Sequence, residues 1–323
     1  MKLKDEILII RGEDMITTIT LNPAVDKTIE ISKFSLGNVN RVTSVRLDAG
    51  GKGINVSKVI KNLGGKSRAT GILSGKSGQF IKNYLDDKKI MNDFIFSKGE
   101  TRTNTKVVDP INHTNTDINE AGPEVSLKDL TELSNKVFGN ISSEDIIILS
   151  GSVPSNVDKK IYGNWITIAK EKGAKTILDA DGELLKYGIL AGPYLIKPNI
   201  DELEGMFNKK INGIPQIVEV AKKLLDNGII IVAVSLGGEG AIFVNKENAI
   251  YARGLKVDVK STVGAGDSMV AALAYAIEQD LSFEATVKLA VATGAANVMT
   301  PGTEASDIKT IIELEKQVKF KYL

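Results

Sequence analysis

From residue 126 onward, short and wholly apolar runs alternate with longer stretches of helical period. The runs at 146–149, 176–178, 194–196 and 229–234 carry no polar face. Each is therefore expected to be a strand buried on both sides. Between and after them, the segments at 126–138, 158–172, 214–227, 268–279 and 283–297 space their apolar residues as helices do. Strands separated by helices leave few architectures open. The pattern predicts an α/β fold with a doubly wound, mainly parallel sheet and helices on both faces. The earlier part of the chain fits the same frame, with strands at 16–21 and 69–73 and helices at 54–63 and 77–88. The segments 27–48 and 94–118 do not fit, because they are polar on one side. Together they are expected to form a small β-sheet that covers the main domain as a lid.

In an open parallel sheet, ligands bind beyond the carboxyl ends of the strands. Here each apolar strand runs into a polar turn: Ser150-Gly-Ser-Val-Pro154, Asp179-Ala-Asp-Gly-Glu183, Lys197-Pro-Asn-Ile-Asp-Glu202 and Ser235-Leu-Gly-Gly-Glu-Gly240. Asp, Asn, Ser and Gly favour turns in any protein. Their convergence on one side of one sheet is harder to explain by turn chemistry alone. It points to a phosphate and metal site built from Asp179, Lys197, Asn199, Glu202 and Ser235.

The stretch Ser261-Thr-Val-Gly-Ala-Gly-Asp267 completes that side, opening a helix with an apolar body. Gly264 and Gly266 allow a tight turn that presents backbone N–H groups at a helix N-terminus, where an anion is favoured. Asp267 in the first turn is either a helix cap or a base beside an anion hole. A second glycine loop, Ala49-Gly-Gly-Lys-Gly-Ile-Asn55, lets a ligand approach the backbone and projects Lys52. Neither loop is a known nucleotide fingerprint. Gly51-Lys-Gly53 and Gly264-Ala-Gly266 lack the third glycine of a dinucleotide site. Gly65-Lys-Ser67 and Gly75-Lys-Ser77 lack the first glycine of a P-loop, having Ile60 and Thr70 there.

Composition removes several other classes. The chain of 323 residues has no cysteine and a single histidine, His113. Disulfides, thiolate chemistry and histidine metal clusters are excluded. Forty-one basic residues against 40 acidic ones give a net charge of +1, with no basic stripe for nucleic acid. No apolar run approaches the roughly 18 residues that would span a bilayer, and charges interrupt the N-terminus. The protein is expected to be cytoplasmic. Residues 1–14 read as an upstream extension, with Met15, just before the first strand, the expected natural start.

Five motifs carry a resemblance across nearly the whole chain: Asn22-Pro-Ala-Val-Asp26, Gly50-Gly-Lys-Gly-Ile-Asn55, Lys197-Pro-Asn-Ile-Asp-Glu202, Ser235-Leu-Gly-Gly-Glu-Gly240 and the GAGD turn. By these the sequence resembles the ribokinase-like (PfkB) carbohydrate kinases. The resemblance implies ATP and Mg²⁺, with Asp267 as the base on the acceptor hydroxyl and Gly264, Ala265 and Gly266 as the anion hole. It implies Asn199 and Glu202 at the metal. Lys197, Ser235, Gly237, Gly240, Thr262 and Asn297 would serve the nucleotide. Asp26, Gly51, Asn55, Asn104 and Ser152 would hold the sugar, and Arg102, Lys52 and Arg41 the phosphate already on it.

Three further stretches are similar to members acting on phosphorylated ketohexoses: Leu36-Gly-Asn-Val-Asn-Arg41, Thr101-Arg-Thr-Asn104 and Ile118-Asn-Glu-Ala-Gly-Pro-Glu124. They imply D-fructose 1-phosphate as acceptor, phosphorylated at its C6 hydroxyl. Tagatose 6-phosphate and fructose 6-phosphate are the alternatives, because the two ends of a fructofuranose are nearly pseudo-symmetric. A sugar-phosphate sensor without turnover is the rival from another class. The resemblance also implies a homodimer formed through the lid.

Overall fold

The wholly apolar runs become the centre of a single large sheet in the computed structural model, which describes residues 16–323. The extension over 1–14 and the start at Met15 lie outside the described residues. In chain order, β1 (Ile16–Thr20), β2 (Ala24–Glu30) and β3 (Ser44–Gly50) precede α1 (Lys52–Asn62). Next come β4 (Ser67–Ser74), α2 (Gly75–Asp87), β5 (Met91–Asn92) and β6 (Ile95–Ser97). The hairpin β7 (Arg102–Asp109) and β8 (Thr114–Asn119) leads to α3 (Leu127–Phe138). Alternation then sets in with β9 (Ile146–Ser150), α4 (Ile161–Glu171), β10 (Lys175–Asp179), α5 (Gly182–Leu190) and β11 (Leu195–Ile196). It continues with α6 (Ile200–Phe207), α7 (Gly213–Leu225) and β12 (Ile231–Ser235). The chain closes with β13 (Gly240–Val244), β14 (Ala249–Arg253), α8 (Ala265–Glu278), α9 (Phe283–Val298), α10 (Ile308–Glu315) and β15 (Phe320–Tyr322).

The 11-stranded sheet runs β15-β14-β13-β12-β11-β10-β9-β1-β4-β5, with β6 also on β4. Its centre is parallel, and β13, β14 and β15 form an antiparallel edge. Strand period sorts the apolar residues onto two cores. In β9, Ile147 and Leu149 pack with Leu133, Trp165, Leu185 and Leu224 on one face. Ile146 and Ile148 pack with Val56, Val270, Leu273 and Val287 on the other. All four β9 side chains are at most 2% exposed, so each contributes about 1.5–3 kcal/mol of burial. A charge at Ile148 would break the layer.

The second sheet has four strands in the order β3-β2-β7-β8. Its register puts Asp26 opposite both Asp48 and Asn104, and Thr28 opposite both Arg46 and Lys106. These polar residues line one side of a cleft against the large sheet. The outward face carries Val45, Leu47 and Ile118, all exposed.

Three expectations are corrected. The lid reading over 94–118 included residues 94–97, but Ile95–Ser97 pairs with β4 in the large sheet because Phe94 and Ile95 are buried there. The antiparallel edge, and helices α5, α6 and α10, were not apparent as elements in the sequence. Helix α8 begins at Ala265 rather than 268, because Gly264 takes up φ +82° and lets the backbone turn straight into the helix. No helix among the described residues is long and apolar enough to cross a membrane.

Topology fixes where a ligand can go. The chain leaves β1 for β4 on one side and later returns to β9 on the other, so the strand order reverses at β1. Beyond the carboxyl ends of β1 and β9 there is a crevice for that reason. Asn22 spans its rim, with Nδ2 donating to Ser152 Oγ and to the Ala121 carbonyl at 3.3 Å each.

Candidate active site

The cleft between the strand ends and the small sheet measures about 540 Å³. At its floor, β10 ends on Asp179, which is 2% exposed. Lys52 Nζ lies 3.4 Å from one carboxylate oxygen and Lys197 Nζ 3.3 Å from the other. Burial would push the Asp179 carboxyl up, but Lys197 and Lys52 outweigh it and hold it below the usual range. Burial likewise opposes the charge on Lys52, yet Asp179, Asp267 and Glu202 together hold it above the usual lysine range. One buried carboxylate thus orders two cations, and the group keeps a net positive charge facing the cleft.

Asp267 stands beside this group in the first turn of α8, 7% exposed. The cap position belongs to Gly264, and the Asp267 carboxylate instead accepts a 2.8 Å hydrogen bond from Asn55 Nδ2 on α1. Burial, reinforced by the charge on Asp179, pushes its carboxyl up to about 6, with Lys52, Asn55 and Lys197 partly offsetting. A carboxylate in that range is ionised at neutral pH and basic enough to take a proton in a transition state. A side chain at Gly266 would begin 3.3 Å from Lys197 Nζ, so the lysine lies over the helix N-terminus. Asn297, 2% exposed, holds the turn by donating to the Val263 carbonyl at 3.0 Å.

On the other side of that turn is a second cavity of about 280 Å³, walled by Leu255, Val257, Met269, Val291 and Val298. Gly237, Gly240 and Thr262 line it as well. It shares Ser235 and Gly266 with the cleft, so a polar cleft and an apolar cavity meet at the start of α8. Asn199 and Glu202 line the cleft nearby and form a capping box on α6. Asn199 Oδ1 accepts from the Glu202 N–H, and Glu202 Oε2 from the Asn199 N–H, at 2.8 and 2.9 Å. The sequence PNxxE is therefore a helix start as well as a pair of oxygens facing the cleft. Partial burial pushes the Glu202 carboxyl up, with the Asn199 N–H and Lys197 pulling it back.

The remaining sequence-picked residues divide. Asp26, Gly51, Lys52, Asn55, Arg102 and Asn104 all line the cleft. Asn104 Nδ2 donates to Asp26 Oδ1 at 3.2 Å. The space left by Gly50 and Gly53 is used by the protein itself. A Cβ at Gly50 would land on the Asp26 carboxylate, and one at Gly53 on the Thr20 hydroxyl. Arg102 spends donors on the frame, with Nε and Nη2 on the Asn22 carbonyl and Nη1 on that of Glu120. Arg41 is exposed and does not line the cleft; Arg46, two strand positions from Asp48, does. Ser152 sits at the crevice rim, bonded to Asn22. Asn297 supports the Gly264–Gly266 turn from behind. Missed altogether were Arg46, Asp48 and Thr303, which reach the cleft only through strand register and a distant loop.

A family model described as pfkB family carbohydrate kinase matches residues 19–311, and the chain belongs to that family. It is thus a carbohydrate kinase by descent as well as by fold. Among its relatives, 1-phosphofructokinase of Borreliella burgdorferi is 37% identical over 300 residues, covering 92% of this chain and 96% of that protein. Tagatose-6-phosphate kinase of Staphylococcus epidermidis is 34% identical, covering 94% and 99%. The solved structure of phosphofructokinase-2 from Escherichia coli in complex with fructose-6-phosphate superposes with a TM-score of 0.89 at 28% identity, covering 94% and 99%.

Proposed function

We propose that this kinase transfers the γ-phosphoryl group of ATP to the C6 hydroxyl of D-fructose 1-phosphate, giving fructose 1,6-bisphosphate and ADP. The observation that carries the reading is the placement of Asp267. It is a buried, partly neutralised carboxylate at the junction of a sugar-sized polar cleft and an apolar cavity, beside backbone donors at a helix N-terminus. The apolar cavity suits a nucleotide base, and the Gly264–Gly266 turn suits a transferring phosphoryl group. Asn22 Oδ1, Asn55 Oδ1 and Asn104 Oδ1 are buried without a partner among the described residues, as groups awaiting sugar hydroxyls would be.

In this mechanism Asp267 accepts the proton of the acceptor hydroxyl as its oxygen forms a bond to the γ-phosphorus and the bond to the ADP oxygen breaks. Asn55 aims the carboxylate, and Lys197 and the turn's N–H groups offset the charge spread over the phosphoryl oxygens. Lys52 and Arg102 face the acceptor's own phosphate. The small sheet acts as the lid that keeps water from competing with the sugar.

Among the described residues no three acidic or histidine side chains gather to hold a metal by themselves. That fits Mg²⁺, which keeps waters and leans on substrate phosphates with one or two carboxylates. Glu202 and Asn199 would hold it, since the capping box leaves each a further oxygen lone pair and burial makes Glu202 gain from a nearby cation. When bound, the ion supplies charge neutralisation at the phosphates. The exposed apolar residues of the small sheet, Val45, Leu47 and Ile118, together with Leu36 and Val39 in the loop between β2 and β3, support a homodimer formed through the lid.

The names of the relatives favour fructose 1-phosphate, with tagatose 6-phosphate the second reading. A coupled ADP-release assay with fructose 1-phosphate, fructose 6-phosphate and tagatose 6-phosphate side by side tests this. A kcat/KM for fructose 1-phosphate about tenfold above the others is expected. Preference for another sugar would overturn the acceptor assignment but leave Asp267 in its role.

A further inference from the structure

Among the described residues that wall the apolar cavity, none is charged and none carries a side-chain amide. Its only polar side chains, Ser235 and Thr262, are hydroxyls. A hydroxyl rotates to donate or to accept, so neither group fixes one pattern of donors and acceptors on a ligand. A site that tells adenine from other bases at its edge needs groups that cannot switch.

The walls read shape instead. The short turn Gly237–Glu239 between β12 and β13 offers bare backbone, where a Cβ at Gly237 or Gly238 would meet nothing within 4 Å. That backbone is firmly held, since a Cβ at Gly254 would strike the Gly238 carbonyl and one at Gly240 the Gly254 nitrogen. Val291 and Val298 of α9, with Met269 of α8, supply an apolar surface. The remaining wall is the irregular segment that follows β14, and it alternates. Leu255, Val257 and Val259 line the cavity, whereas Lys256, Asp258 and Lys260 are exposed and do not. Among the described residues, no backbone hydrogen bond takes up a peptide group from Leu255 to Val259, so these groups are not pinned to one presentation. Val259 is 57% exposed, and the cavity opens to solvent beside it. A base edge turned that way meets water, which donates and accepts equally well.

We infer that this cavity holds a nucleotide base by its faces and not by its edge, and that guanine and hypoxanthine nucleoside triphosphates serve as phosphoryl donors alongside ATP. The inference rests on reading the cavity as the nucleotide site. Hypoxanthine has the outline of adenine, with a carbonyl in place of the exocyclic amine and a proton on the neighbouring ring nitrogen. Guanine adds an amine, for which the bare Gly237–Gly238 backbone leaves room. An apolar pocket penalises such changes modestly, whereas a pocket that hydrogen-bonds the edge rejects the wrong partner by about 10⁴-fold or more. The transfer step is unchanged. The acceptor oxygen bonds the γ-phosphorus, its proton passes to Asp267, and GDP or IDP leaves with the electron pair of the broken bond. Pyrimidine rings are smaller and cover less of the valine and methionine surface, so their nucleotides bind more weakly.

The test is steady-state kinetics of the full chain with Mg²⁺ and whichever of the three ketohexose phosphates turns over best with ATP. ATP, GTP, ITP, CTP, UTP and inorganic tripolyphosphate are compared as donors. Formation of the bisphosphorylated sugar is followed, so one readout serves every donor. GTP and ITP are expected to keep kcat/KM within about tenfold of ATP, with any loss appearing in KM. CTP and UTP should fall below all three purine nucleotides, and tripolyphosphate below them by about 100-fold or more. Ala295→Phe, which fills the cavity from the half-buried face of α9, should raise KM for ATP, GTP and ITP by the same factor and leave the acceptor KM in place. A loss beyond about tenfold for GTP or ITP overturns the proposal, because an edge is then being read. So does an Ala295→Phe effect confined to ATP. Turnover of pyrimidine nucleotides or tripolyphosphate equal to that of ATP overturns it as well, because the cavity then holds no base. Protein that forms no bisphosphorylated sugar with any donor, ATP included, would instead refute the kinase reading itself.

Discussion

Replacing Asp267 with asparagine should make the protein more stable while nearly abolishing turnover. The carboxyl is moved from its ordinary 3.8 to about 6 by burial and by Asp179. An unfolded chain releases this proton near 3.8, whereas the folded protein holds it until about 6. Stability is thus lost as pH rises through that window, and above it the full cost remains. Two units correspond to a cost on the order of 3 kcal/mol at neutral pH. Asparagine removes the charge and retains an oxygen to accept from Asn55 Nδ2, so much of the cost should be recovered. Urea unfolding at neutral pH is expected to show a gain of about 2–3 kcal/mol, shrinking as pH falls towards 4. In parallel, kcat should drop by about 10²–10⁴-fold while ATP still binds, because Asp267 does not line the apolar cavity. The wild-type kcat/KM should fall below about pH 6 as the base protonates. An asparagine variant that is less stable, or that turns over within about tenfold of wild type, would refute the assignment of Asp267 as a base held at an energetic cost.

Two further substitutions probe the neighbouring groups. Gly266→Ala places a methyl 3.3 Å from Lys197 Nζ and into the phosphoryl slot; kcat should fall about 10–100-fold, and a wild-type kcat would contradict the anion-hole role. Arg102→Ala should raise the acceptor KM well above any change in the ATP KM. It should also cost about 1–3 kcal/mol in a thermal melt, because donors to the Asn22 and Glu120 carbonyls are lost. Equal effects on both KM values would contradict a contact with the sugar's phosphate.

Much of this fold could be read from residue order, because each central strand is a short run with apolar residues on both faces. The antiparallel edge was harder. Gly240–Val244 and Ala249–Arg253 are equally apolar, but nothing local says which way they run or that Phe320–Tyr322 joins them from the far end of the chain. The side of the cleft proposed for phosphate was visible because its parts are contiguous: the GAGD turn, PNxxE and SLGxxG each form one strand end or helix start. The side proposed for the sugar was only half visible. Asp26 stood in a motif, but its neighbour Asp48 depends on a strand register set across 22 positions. The lid boundary at Phe94 was misplaced for a related reason: short alternating segments do not reveal which of two sheets they join.

The central claim is transfer of a phosphoryl group to a specific sugar hydroxyl, and the product shows it most directly. Incubating the protein with Mg²⁺, ATP and fructose 1-phosphate, and following phosphorus NMR, should reveal a new phosphomonoester on C6 appearing in step with ADP. Inorganic phosphate in place of that ester, or no ADP at all, would contradict the account.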